Sequence, residues 1–168
     1  IHREISSNLT TAILVSQAAI DALARTAGCI INFASISYFE PQMPMAVYVA
    51  AKSAVAGFTR SLALELAGRN IRVNAVAPAA VRTSENVSAM GAATLFVELD
   101  HITDGVMFLA SSAAATISGH ILPIACNGWT RMPDSRSRSS PGSPMAVPRA
   151  WLTARSPPAR GVARGRKG

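Results

Sequence analysis

The sequence predicts an α/β fold built on a parallel sheet, and three observations carry that prediction. Short apolar runs of strand length occur at CIINFA (29–34), IRVNAVA (71–77) and GHILPI (119–124). Each is preceded by a longer stretch whose apolar residues recur at helical spacing. Glycine, proline or asparagine stands near the ends of these runs, at Gly28, Asn70, Pro78 and Gly119. Helix followed by strand, repeated along the chain, implies parallel strands joined by right-handed crossovers.

The elements follow in order. Residues 4–25 place Leu9, Ile13, Ile20 and Leu23 near one stripe, with Arg25 in the last turn and Gly28 as the stop. CIINFA is too brief for a helix and reads as a buried strand. A loop, SISYFEPQMPMAV, leads to a helix over 48–66 whose apolar face is Val55, Phe58, Leu62 and Leu66. Gly68, Arg69 and Asn70 end it, IRVNAVA forms the second strand and Pro78 closes that strand. Residues 78–99 read as a loop holding a short helix or two. DHITDGVMFLAS has Ile102, Val106 and Leu109 at helical spacing, with Asp100 as the expected cap, and GHILPI is the third strand. No internal repeat is present.

The chain has 168 residues, 49% of them apolar, enough for one domain with a core. Its net charge of +7 is unevenly spread. Residues 1–130 hold 7 Lys/Arg against 8 Asp/Glu, whereas residues 131–168 hold 9 against 1. The basic character therefore belongs to an Arg/Ser/Pro-rich tail, 131–168, whose composition predicts disorder. Nucleic acid is not the expected partner, since scattered arginines attract phosphate weakly; a nucleic-acid-binding tail stays an alternative. Cys29 and Cys126 form neither a disulfide framework nor a metal-ligand spacing. Cys29 is expected to be a buried thiol. No apolar run reaches the ~20 residues that span a bilayer. No charged-then-apolar leader is seen, so a cytoplasmic location is expected.

Tyr48 and Lys52 stand four residues apart at the start of the second helix, so both leave one face. A phenol titrates near 10, too high for a ready base at neutral pH, and an adjacent ammonium favours the phenolate. Ser35 lies at the end of the first strand, 13 residues before Tyr48, and Asn8 lies on the preceding helix. Carboxyl ends of parallel strands are where open α/β sheets form ligand crevices. Alone, each residue has a plainer role: a packing aromatic, a solvated cation, a turn serine, a helix-start amide.

Together with their flanks these residues resemble the C-terminal half of a short-chain dehydrogenase/reductase. SNLTTAILVSQAAI, GCIINFASIS, YVAAKSAVAGFTRSLALELAGRNIRVNAVAPAAVRT and ITDGVMFLASSAAATISGHILPI carry the resemblance, over nearly all of residues 4–130. It implies a partial Rossmann-like, doubly wound parallel sheet made of the fold's last three strands. It implies an oxidoreductase that moves hydride between NAD or NADP and a secondary alcohol or ketone. Tyr48 would be the acid–base, Lys52 would lower the phenol's proton affinity and hold the nicotinamide ribose, and Ser35 would bind the substrate oxygen. Asn8 would hold a relay water. Ser37 is the second candidate for the serine role, at a spacing of 11.

Pro78, Ala79, Val81 and Thr83 would form the loop over the nicotinamide, Tyr48 and Lys52 completing the cofactor contacts. Ala79 stands where the family usually has glycine, which would narrow the approach if that residue's φ were positive. IACNGWT departs from the family's common Asp-Gly-Gly turn. The glycine-rich Gly-x-x-x-Gly-x-Gly turn that receives a pyrophosphate is absent from the sequence. A truncated form is therefore expected, with an exposed edge on the first strand and doubtful cofactor binding by this chain alone. The helix Tyr48–Leu66 is the family's packing surface between subunits, which implies a homo-oligomer. An inactive oligomerisation or interaction module is the alternative to an enzyme.

Overall fold

The computed structural model describes residues 1–42 and 44–126. Met43, the altered turn after Cys126 and the 131–168 tail lie outside the described residues.

The chain opens with α1 (His2–Ile5), a π-helical turn (Ser6–Thr10) and α2 (Thr11–Ala24). β1 (Cys29–Phe33) and a single 3-10 turn (Ile36–Tyr38) follow, then the long α3 (Ala46–Leu66). β2 (Arg72–Pro78), α4 (Ser84–Met90), α5 (Leu99–Ala110) and β3 (Ile121–Ile124) complete the series. The sheet order is β1-β2-β3, all parallel, with Cys29 opposite Arg72 and Ala75 opposite Ile121. This is the predicted α/β class, a three-stranded part of a Rossmann-like sheet.

β2 is central, and Val73 through Ala77 are all buried, as a parallel strand covered on both faces requires. Each fully buried valine there contributes about 1.5–3 kcal/mol of apolar burial. One core group joins Ile30, Leu62, Ala63, Leu66, Ile71 and Val73. A second joins Ala34, Val55, Ala56, Ala75, Ala77 and Ile121 beside the carboxyl ends of β1 and β2. α3 buries Ala51, Val55, Ala56, Thr59, Leu62, Ala63 and Leu66, one stripe at helical spacing. Past its end, Asn70 takes a left-handed conformation (φ 56°), tolerable for asparagine, and turns the chain into β2.

Two polar residues inside the core are satisfied. Asn74 donates to the Ile117 carbonyl at 2.8 Å and accepts from the His120 N–H at 2.9 Å, pinning the approach to β3 in the structural role expected of a strand amide. Asn32 donates to Thr59 Oγ1 at 3.0 Å, tying β1 to α3. Gly105 lets α5 close on the sheet, since a Cβ there would sit 2.6 Å from Ile124 Cδ1.

Some local expectations are corrected. Asp100 is not the cap of α5: Glu98 occupies that position without a side-chain cap bond, and Asp100 sits in the first turn, where a carboxylate favours the helix dipole. Cys29 is half-buried, on a strand that is at the edge among the described strands. α3 starts before Tyr48, at Ala46.

Candidate active site

Parallel pairing brings the carboxyl ends of β1 and β2 to one side of the sheet, and α3 starts beside them. From α3, Lys52 reaches back so that Nζ donates to the Phe33 carbonyl, the last of β1, at 2.9 Å. The side chain is half-buried, and that burial holds its pKa below the ordinary 10.5. One helical turn earlier, the Tyr48 ring stands with its centroid 5.9 Å from the same Nζ. The Tyr48 hydroxyl makes no hydrogen bond to any described residue. Phenol and ammonium are therefore neighbours, the ammonium anchored and partly desolvated.

Ser35 follows β1 in extended conformation and caps the 3-10 turn, its Oγ accepting from the Ser37 N–H at 3.2 Å. The Ser37 hydroxyl lies 2.8 Å from the Ser35 hydroxyl, and both residues are buried. Ser35 is thus bonded to Ser37 and not to Tyr48.

Asn8 lies in the π-turn, where its amide nitrogen donates to the Glu4 carbonyl at 3.0 Å and to Glu4 Oε2 at 3.1 Å. It lines a hollow of about 290 Å³ together with Ser7, Thr11, Phe33 and Lys52. π-turns inside α-helices are frequent at functional sites. A larger hollow of about 770 Å³ lies at the far end of α3, against Arg60, Leu64, Asn70 and Arg72. It contains none of the candidate residues, and chemistry rather than size locates the site.

The loop after β2 is held by its own backbone. The Ala79 N–H donates to the Ile124 carbonyl at 2.9 Å, and Val81 forms a parallel bridge with Val97. Ala79 is not among the described residues with positive φ, so its side chain strains nothing at the position usually given to glycine. Thr83 caps α4, its Oγ1 accepting from the Asn86 N–H at 3.2 Å. Glu85, exposed in the first turn of α4, has its pKa lowered by hydrogen bonds from its own backbone and from the Thr83 and Ser84 hydroxyls. The Val81 N–H donates to no described group.

The structure therefore brings Tyr48 to Lys52, and Asn8 and Lys52 to one hollow. It leaves Ser35 paired with Ser37, Pro78 as the last residue of β2, and Ala79, Val81 and Thr83 on the segment between β2 and α4. Sequence reasoning missed the Phe33 carbonyl, which has no signature in the residue type, and Glu4, which secures Asn8. The Asn32–Thr59 pair had a signal: a lone amide in an apolar run.

The family profile described as short chain dehydrogenase matches residues 1–92. The chain is 34% identical over 138 residues to the 2-dehydro-3-deoxy-D-gluconate 5-dehydrogenase of Bacillus subtilis, covering 74% of this chain and 54% of that protein. It is 32% identical to the meso-2,3-butanediol dehydrogenase of Serratia marcescens, covering 80% of this chain and 54% of the relative. Among solved structures, acetoin dehydrogenase from Enterobacter cloacae superposes with a TM-score of 0.65 at 30% identity, covering 73% of this chain and 53% of that one. A 4-hydroxyisoleucine dehydrogenase complexed with NADH gives 0.63 at 30% identity, covering 71% and 55%. The chain spans about half the length of the curated relatives it matches. With a profile match over more than half its residues and this sheet, the chain belongs to the short-chain dehydrogenase family.

Proposed function

We propose that this chain carries the catalytic and nicotinamide-side residues of an NAD- or NADP-dependent alcohol/carbonyl oxidoreductase, as the C-terminal part of the family's domain. The observation that carries this reading is the half-buried Lys52 ammonium, anchored on Phe33 and lying 5.9 Å from the Tyr48 ring centroid. The residues fit the nicotinamide end of a dinucleotide. The Tyr48 hydroxyl, the Val81 N–H and the two remaining Lys52 protons are donors with no acceptor among the described residues. A nicotinamide bound there would supply or accept the hydride.

The chain's own groups would do the rest. Ser35 donates a hydrogen bond to the substrate oxygen and fixes it near Tyr48. Tyr48 gives that oxygen a proton on carbonyl reduction and removes it on alcohol oxidation. The Lys52 charge favours the phenolate between these steps. The hollow shared by Asn8 and Lys52 gives a place for the water that would return the proton to solvent. The substrate is a small secondary alcohol or its ketone, in keeping with the 2-dehydro-3-deoxy-D-gluconate and meso-2,3-butanediol in the names of the relatives.

Fluorescence titration of the purified chain with NADH and with NADPH tests the cofactor side. Lys52→Met should weaken saturable binding about 10-fold or more, the loss of a charge-assisted hydrogen bond. Curves that superimpose overturn the assignment of Lys52. On the acid–base side, Tyr48→Phe should abolish turnover of acetoin with the unfolding midpoint unchanged, and retained turnover overturns Tyr48.

A second reading, compatible with the first, is a module that associates through α3. Its support is an outward stripe of Ala50, Ala54, Gly57, Ser61 and Leu64, with Leu64 81% exposed. Small residues at helical spacing let two helices approach closely, and a bare leucine at the end of the stripe adds apolar area to that contact.

A further inference from the structure

We infer that Ser37 is a positioning residue that makes Ser35 a pure hydrogen-bond donor toward substrate; this rests on the proposed oxidoreductase reading and deepens it. A hydroxyl has one proton and two acceptor positions. Both acceptor positions of Ser35 Oγ face Ser37: one takes the Ser37 N–H at 3.2 Å, the other the Ser37 hydroxyl at 2.8 Å.

The direction of the hydroxyl–hydroxyl bond follows from burial. The two hydroxyls hold two protons, and only one of these can lie between the two oxygens. Ser37 is 2% exposed and its Oγ makes no other hydrogen bond to a described residue. If Ser35 donated, the Ser37 proton would be left without an acceptor in a sealed place, which is disfavoured. If Ser37 donates, the unpaired proton belongs to Ser35, the more exposed of the two at 7%, just past the carboxyl end of β1. There water or a substrate oxygen accepts it.

The chemical consequence is a division of labour. With both lone pairs occupied, Ser35 offers a proton and accepts none, so the group it holds must present an acceptor, a carbonyl or alcohol oxygen. Ser35 therefore cannot act as the base, and the substrate oxygen exchanges its own proton with Tyr48 alone. The extended backbone of Ser35 (φ −157°, ψ 154°) and the 3-10 turn it caps set this geometry. Nothing in the sequence pattern distinguishes this role from that of an ordinary second serine.

Solution NMR on the labelled wild-type chain tests the inference without requiring turnover. A hydroxyl proton exchanging slowly with water, with cross-relaxation to the Ser35 β-protons, should be assigned to Ser37, while the Ser35 hydroxyl averages with solvent. That signal should vanish in Ser37→Ala, survive in Ser37→Thr and be unaffected by Tyr48→Phe. Ser35→Ala should speed exchange of the Ser37 amide about 10-fold or more by removing its acceptor. A slow hydroxyl assigned to Ser35, or none at either residue, overturns the inference. Failure of the Tyr48 and Lys52 tests with the Ser37 signal present would overturn the catalytic reading and leave this geometry standing.

Discussion

Lys52 joins more of this molecule than its size suggests. It fastens α3 to the end of β1, it charges the surroundings of Tyr48, and it gives up part of its hydration to do so. Because burial lowers its pKa in the folded protein, the unfolded chain binds its proton more tightly. Over the interval between the lowered folded value and 10.5 the unfolded state holds more protons, so this residue's contribution to stability rises with pH there. Urea unfolding at about pH 8 and about pH 10 should show that rise in the wild type relative to Lys52→Met. Equal pH dependence in the two proteins overturns the desolvated ammonium. The four-residue spacing of Tyr48 and Lys52 is legible in the sequence, because helical geometry alone puts both on one side. The anchor is not, since a backbone carbonyl is common to every residue type. Asn8 is legible as a helix residue, but the π-turn around it is not, because one extra residue in a turn leaves an ordinary apolar pattern on either side.

At the scale of the element, the three strands are legible because each is an apolar run bounded by turn residues. The long helix is legible because its buried face repeats at 3.6 residues. Between Ala79 and Glu98 the expected short helix is α4, but the order around it is not legible: it comes from the Val81–Val97 bridge and from Arg82 Nε on Glu98 Oε1 at 2.7 Å, contacts between residues 16 apart with no local pattern. The β1–α3 junction yields a specific expectation. Thr59 is fully buried and is the acceptor of the Asn32 amide, so Thr59→Val keeps the shape and strands the amide. Such a loss costs about 1–3 kcal/mol. Chemical denaturation should show it with an unchanged slope, and a variant as stable as the wild type would show that the amide needs no partner there.

At the scale of the whole molecule, the parallel direction of the strands is legible from alternation of helix and strand, whereas the central place of β2 is not, since its run is broken by Arg72 and Asn74 and strand order depends on contacts distant in sequence. What covers the outer flank of β1 and the face of α3 is not legible either, since exposure depends on partners that the residues here do not spell out. For α3 the stripe ending in Leu64 leads to an expectation of a concentration-dependent dimer. Sedimentation velocity should find Leu64→Glu shifted to monomer with the same unfolding midpoint. A wild-type chain that stays monomeric at every concentration removes the association reading and leaves the enzyme reading untouched.

β1 is hydrogen-bonded to β2 alone among the described strands, with Phe33 half in solvent at its end. Among the described strands that flank of β1 is an unfinished ladder, a template that another strand can read. Turbidity in stored samples should then grow as a second-order process, faster than concentration itself. A short synthetic strand laid along that flank should hold the solution clear.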